Sequence, residues 1–268
     1  MTLTKAQQTL FFPLLGRAAA SRSWPELFAD PWAEQAEEVA RRESMPVTDM
    51  MPFAQASYGL RHLASIAEIK RYLADHSSAA VVNIGCGLDR LEDDLTDFPD
   101  ARIYNLDFPE VIELRQRYLP AGDSIDLPFS AFDRAWLDEV DARGGFVALA
   151  AGVMHFFEVE KAAALIDAMG RQFPGGIFIY DAQSPEITRQ SEQELASAGF
   201  DAWMPFKVGD PYSVRDWSRC ISDVVVDFNF LNYLPEGRRG ELPLEVVEAF
   251  AQLEEARGMY VVRGGFGG

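Results

Sequence analysis

The sequence predicts an α/β protein: a doubly wound, mainly parallel sheet with a helical cap at its N-terminus. Three observations carry this. From Ala79 onward short apolar runs alternate with helical stretches, residues 1–77 carry only helical patterning, and a glycine pair directly follows the first apolar run. The expected division is a helical cap over 1–77 and a ligand-binding core over 78–268 with a lid insertion at 184–219.

In chain order, Asp30-Pro31 starts a helix, because the carboxylate accepts orphan backbone N–H groups and proline fits the first turn; it continues through AEQAEEVARR. SMPVTDMMPFAQAS reads as a loop. Leu60, Leu63, Ile66, Ile69 and Leu73 then recur at helical spacing and predict a second helix over 60–75. The runs AAVVNI, ARIYNLD, GGFVALA, GGIFIYD, VVVDFNF and MYVV are short, apolar and β-branched, as suits strands buried on both faces. Between them PEVIELRQRY, EVEKAAALIDAMGRQF and LPLEVVEAFAQLEEA are helical, which completes the βαβ alternation. The segment 184–219 breaks the rhythm. Its aromatic residues Phe200, Trp203, Phe206, Tyr212 and Trp217 fit either a connection packed on the sheet or a lid facing substrate. The terminal GGFGG reads as a mobile tail.

Composition narrows the class. With 24 Lys+Arg against 42 Asp+Glu the net charge is −18, which excludes a nucleic-acid grip spread over the whole surface, and no local basic patch offsets it. Two cysteines are too few for a disulfide framework and suit a reducing cytoplasm. The apolar run Leu10–Leu15 is broken by Pro13 and closed by Arg17, so it is no signal peptide, and no run is long enough to span a bilayer. No two histidines share ligand spacing, so no metal site is expected.

The sharpest motif is VVNIGCGLD. A strand entering Gly85-Cys86-Gly87 places two residues without Cβ at the carboxyl edge of a sheet, where backbone can approach a ligand. Asp107 closes the next strand roughly 20 positions on, the spacing of a carboxylate that holds ribose hydroxyls. A dinucleotide fingerprint needs a third glycine where this chain has Arg90, which disfavours NAD. Asp89 beside the turn would repel a pyrophosphate yet tolerate an ammonium. S-adenosylmethionine, with ribose, adenine, ammonium and no phosphate, is the better match. Cys86, lying in a turn with no histidine near in sequence, reads as a small buried thiol.

VVNIGCGLDRL, NLDFPEVIELRQRYL, SAFDRAWLDEV and ALAAGVMHFFEVEKAAALI together resemble successive motifs of the leucine carboxyl methyltransferase family, in particular its bacterial polyketide-type O-methyltransferases. LFFPLLGRAAASRSWPELFADPWA is similar to that branch too, so the likeness covers most of the chain to about residue 181 and fades beyond. The resemblance implies a Rossmann-like class I methyltransferase sheet and S-adenosylmethionine as cofactor. It implies that Gly85 and Gly87 wrap the methionine part and that Asp107, with Phe108 beside it, holds the ribose. Phe132 and Asp133 would border the adenine, and Arg61 in YGLRHL would pair with the cofactor carboxylate, for which a guanidinium fork is suited. Read without the family, Arg61 is a solvated helix charge and Asp133 a helix N-cap. Two positions depart from the family pattern: Ala151 stands where a glutamate is usual, and Arg90 where a threonine is usual.

The implied reaction is methyl transfer to a carboxyl or a phenolic hydroxyl of a small, polyketide-like molecule. A carboxylate with reference pKa near ~4 needs no general base, whereas a phenol near ~10 usually does. His155 is the candidate base; its other reading is a helix-initiating or partly buried histidine. The aromatic lid and helical N-terminus could together form an apolar pocket for an aromatic acid. Two rivals stay open: a methyltransferase fold without turnover that binds cofactor or a partner protein, kept by Ala151, and a nicotinamide-dependent oxidoreductase, opposed by Arg90. An acidic substrate approaching a chain of charge −18 calls for a pocket less acidic than its surroundings.

Overall fold

The computed structural model describes residues 11–42, 50–120, 122–197, 199 and 203–267. N-terminal helices α1 (Phe12–Ser23), α2 (Pro31–Arg42) and α3 (Pro52–Leu73) precede a seven-stranded sheet. Its strands are β1 (Ala80–Ile84), β2 (Arg102–Asp107), β3 (Ile125–Pro128), β4 (Phe146–Ala150), β5 (Ile177–Gln183), β6 (Ile221–Asp227) and β7 (Met259–Phe266). Helices α4 (Pro109–Tyr118), α5 (Val159–Gln172), α6 (Pro185–Ser197) and α7 (Leu244–Glu255) lie between them. The spatial order is β3-β2-β1-β4-β5-β7-β6; β1 to β5 run parallel and β7 is antiparallel to both β5 and β6.

Both faces of the central strands are covered, hence the unbroken apolar runs. Val82, Ile84, Leu106 and Phe178 face one core with α5 and Trp136, while Val81, Val147, Leu149 and Ile179 face a second with α3 and α7. A third cluster joins α1 and α2 to Leu88 and Leu114. The chain winds outward from β1 in one direction and from β4 in the other, so a crevice opens beyond the carboxyl ends of these two strands.

Four expectations change. The helix predicted from Leu60 begins at Pro52: Gly59 sits inside it because a Cβ there would lie 2.7 Å from the Phe28 ring. β3 was not expected; it is four residues long, lies at the sheet edge and ends on a proline that only an edge tolerates. The segment 184–219 is not one irregular connection but holds α6 and a 3-10 turn at Pro211–Asp216. Only Thr188 of α6 is buried, so the helix leaves almost no apolar period in the sequence, and Phe200 lies outside the described residues. The expected mobile tail instead carries β7 to Phe266, where Gly264 is required because a Cβ would run into the Phe178 ring. Among the described residues no helix is long and apolar enough to cross a membrane.

Candidate active site

β1 delivers the chain to Gly85 and Gly87, whose φ angles of +65° and +51° lie in the left-handed region that favours glycine. A Cβ on Gly85 would also stand 2.6 Å from Val153 Cγ2, so the glycine turn and the segment after β4 touch. Asp107, at the end of β2, accepts the Gly87 N–H through Oδ2 at 2.9 Å and the Phe108 N–H through Oδ1 at 2.8 Å. Burial pushes its carboxyl pKa up, and those two N–H groups and Arg115 hold the rise back. The spacing read from sequence therefore becomes direct contact between the turn and the strand-ending acid.

The far side of the turn is gripped by protein. Arg115, buried on α4, donates to the carbonyls of Gly87 (2.9 Å) and Asp89 (2.6 Å), and Trp32 Nε1 donates to that of Leu88 (2.9 Å). Arg17 of α1 bridges two acids, at 2.6 Å to Asp30 Oδ2 and 2.5 Å to Asp89 Oδ1. Asp30 also caps α2 by accepting the Ala33 N–H at 2.8 Å. Asn83 donates to the other oxygen of Asp89 at 3.3 Å. Burial would raise the Asp89 pKa, but Arg17, then His62 and Arg115, bring it down to about 2. Both oxygens of Asp89 thus have protein partners, which makes it an anchor for the N-terminal helices in addition to the ammonium-facing role expected for it. Cys86 is buried and its thiol pKa is pushed up by that burial, which leaves it an inert thiol. Arg90 chelates Asp93 at 2.7 and 2.9 Å.

A second group gathers where β4 and β5 end. Arg61 on α3 meets Asp181 on β5 at 2.5 Å, and Asp181 Oδ1 accepts the Gly152 N–H at 2.6 Å. Arg61 thus already has a carboxylate partner within the protein. Ala151 is exposed and precedes Gly152, whose φ is +68°. His155 follows in a 3-10 turn and is only 6% exposed; burial, opposed by Asp181 and aided by Arg61, lowers its pKa to about 4. Asp133 caps the 3-10 turn Arg134–Glu139 by accepting the Ala135 N–H at 3.0 Å. Phe108, Phe132 and Phe156, following β2, β3 and β4, are 52%, 39% and 51% exposed, which sets three solvent-facing aromatic rings along the carboxyl edge.

Sequence reasoning missed Arg17, Trp32, Arg115 and Asp181. Asp181 carries the same signal that marked Asp107, an acid closing an apolar strand; the other three look like ordinary helix residues until the helices dock. A pocket lined by Arg71, Tyr72, Asp75, His76, Ile177 and Arg263 lies at the opposite, amino edge of the sheet, far from the glycine turn.

A doubly wound sheet with a glycine turn after β1 and an acid closing β2 is the architecture of class I methyltransferases, and solved structures agree on the fold. A DUF574-family protein of Streptomyces avermitilis superposes with a TM-score of 0.59 at 13% identity, over 92% of this chain and 95% of that one. The plantazolicin methyltransferase BpumL, solved with a pentazolic desmethyl analogue and S-adenosylhomocysteine, superposes with a TM-score of 0.52 at 12% identity, over 98% and 100%. In sequence, the leucine carboxyl methyltransferase family model matches residues 11–169. The chain belongs to the leucine carboxyl methyltransferase family and is a methyltransferase. It is 27% identical over 220 residues, 80% of its length and 79% of the relative's, to the tetracenomycin polyketide synthesis O-methyltransferase of Streptomyces glaucescens.

Proposed function

We propose that this protein transfers a methyl group from S-adenosylmethionine to a carboxylate, rather than a phenol, of a small polyketide-like acid. The reading takes 1–77 as a helical cap and 78–268 as the cofactor-binding core. The residues at the crevice fit the cofactor. Each oxygen of Asp107 carries one backbone N–H and has room to accept a ribose hydroxyl as well. The left-handed Gly85 and Gly87 let main chain approach closely, and the exposed faces of Phe108 and Phe132 offer apolar surface to an adenine. Arg61 would meet the cofactor carboxylate while Asp181 holds it in place. Bound there, S-adenosylmethionine supplies an electrophilic methyl on a sulfonium. The protein's own task is to align the acceptor and exclude water.

The choice of a carboxylate rests on His155. An imidazole with pKa about 4 is too weak a base to ionise a phenol of pKa near ~10, whereas a carboxylate arrives already ionised. Of the other described histidines, His62 pairs with Asp94 at 3.1 Å on the Asp89 side of the glycine turn, and His76 stacks on Tyr72. The relative named for tetracenomycin polyketide synthesis supports a polyketide-like acceptor. Asp181 keeps an acid beside the position where Ala151 lacks the family glutamate, which favours an active enzyme over an inert relative.

Turnover with labelled S-adenosylmethionine and a panel of aromatic acids and phenols tests this. The expected product is a base-labile methyl ester, formed at a rate flat from pH 6 to 8. Base-stable ethers, with a rate rising with pH, would replace the carboxylate reading with the phenol.

A further inference from the structure

Three side-chain atoms at the carboxyl edge are buried without any hydrogen-bond partner: His155 Nδ1 and the hydroxyls of Tyr180 and Tyr260. Native interiors rarely leave such groups unpaired, and each instance asks for an explanation. The three are neighbours. Tyr260 stands opposite Ala182 across the β5–β7 ladder, which puts its ring on the same sheet face as Tyr180, and the two hydroxyls feel each other electrostatically. Tyr260 also senses Asp181, as does His155.

One segment covers Tyr180 and His155 and brings Asp210 within electrostatic reach of Tyr260, whose ring packs edge-on against Phe228 at 5.9 Å. Phe206 packs edge-on against Tyr180 with ring centroids 5.9 Å apart, and its N–H donates to the His155 carbonyl at 3.4 Å. Trp217 backs Phe206 at 6.1 Å. The segment Met204–Trp217 that carries these rings is tied to α6 through Glu192, which accepts from the Met204 N–H and from Lys207, both at 2.9 Å. The helix it is tied to is itself mostly exposed. Polar groups wanting partners thus lie beneath an apolar cover, beside the residues that hold the reacting end of the crevice.

We propose that Tyr180, Tyr260 and His155 form the recognition subsite for the acceptor, taking a neutral carbonyl or hydroxyl oxygen on its ring system when segment Met204–Trp217 lifts. This rests on the methyltransferase reading. The subsite's own chemistry sets the ligand class. Both phenols stay protonated in this environment and act as donors, while the imidazole stays neutral and can accept a hydroxyl proton or donate one N–H. Phe178, Phe206 and Val262 share the same core and make the place hostile to a charge. The acceptor's carboxylate is therefore left at the open edge, and a second, uncharged oxygen enters here. The acceptor class is an oxygenated aromatic acid rather than a plain hydrocarbon acid.

The test uses calorimetry on the whole protein, first with S-adenosylhomocysteine and then with 6-hydroxy-2-naphthoate, whose hydroxyl lies at the far end of the ring system from its carboxylate, or with 2-naphthoate. The wild type should bind the hydroxylated acid about tenfold more tightly than its plain counterpart, the discrimination that one buried hydrogen-bonding oxygen provides. The double variant Tyr180→Phe/Tyr260→Phe should lose that ratio, keep its affinity for S-adenosylhomocysteine, and show a thermal midpoint unchanged or raised by about 2 °C, since removing unpaired hydroxyls relieves the core. Equal binding of the two acids by the wild type, or binding of neither, overturns the subsite. A lowered midpoint in the double variant also overturns it, because the hydroxyls would then be serving the core through ordered water. The S-adenosylhomocysteine titration separates the outcomes: no binding there refutes the cofactor reading, while normal binding without discrimination refutes only the subsite.

Discussion

At the β1–β2 end of the crevice, the carbonyls of Gly87, Leu88 and Asp89 and the carboxylates of Asp30 and Asp89 all find partners in Arg17, Trp32, Asn83 and Arg115. Glu92 Oε2, Asn105 Oδ1 and Arg115 Nε make no hydrogen bond, but each belongs to a side chain with another polar atom paired, and Arg115 Nε lies 3.6 Å from Asp126. At the β4–β5–β7 end, Arg61, Asp181 and Gly152 form one paired unit, but His155, Tyr180 and Tyr260 beside it keep unpaired atoms. The difference matches two jobs. A methyl donor of one invariant structure, exchanged as S-adenosylhomocysteine after each transfer, is met by a turn held rigid from behind, while the acceptor is met by groups that complete their bonding only when it arrives.

That contrast can be broken in four places, in order of expected effect. Arg17→Met should cost about 3–4 kcal/mol in urea unfolding, because it leaves two largely buried carboxylates, Asp30 and Asp89, without their shared cation. A loss below about 1 kcal/mol would show that the anchor is ornamental.

Acid should separate the two ends. Above pH 6.5 His155 is neutral whether folded or not; between 6.5 and about 4 only the unfolded chain takes up the proton, so stability falls as pH falls, by about 3 kcal/mol in all. Asp89 is shifted in the same direction but in a lower window: its contribution is full above 3.8 and is lost only between 3.8 and about 2. The acceptor end therefore weakens before the cofactor end. His155→Gln should flatten the loss between pH 6.5 and 4 in pH-dependent denaturation, and an unaltered profile would remove His155 as its source.

Asp107→Ala should weaken S-adenosylhomocysteine about a hundredfold, roughly 2.7 kcal/mol by calorimetry, with the fold intact by circular dichroism. Affinity within threefold of wild type would end the ribose assignment. The smallest effect is expected from Trp32→Phe, which keeps an aromatic ring but removes the donor to Leu88 O together with the fused pyrrole ring. It should cost about 1 kcal/mol of stability, read from the thermal midpoint.

The central strands were legible because burial on both faces makes them uniformly apolar, and α4, recognised as PEVIELRQRY, spans the residues observed. β3 and α6 were not, for a common reason: one is a short edge strand and the other fully buries only Thr188, so neither has a face whose burial would pattern its sequence. At the site, Gly85, Gly87 and Asp107 were readable because a left-handed turn demands glycine and a strand-ending acid stands out. Asp89 was identified as a residue of consequence, but its partner was unknowable: Arg17 is 72 residues away, and only helix docking brings it to 2.5 Å.

By itself the sequence determined what short-range physics controls: the strand–turn–helix rhythm, the glycine turn, its acid and, through motifs, the family. The tertiary structure alone decided which charges are spent on holding the protein together and which groups remain free for a ligand. Arginine on a helix reads alike whether it is solvated, as in an ordinary surface pair, or buried against two carboxylates like Arg17. A tyrosine in an apolar strand reads as core whether or not its hydroxyl has a partner. Pairing depends on what long-range packing brings within about 3 Å, and the chain encodes that distance only through the whole fold.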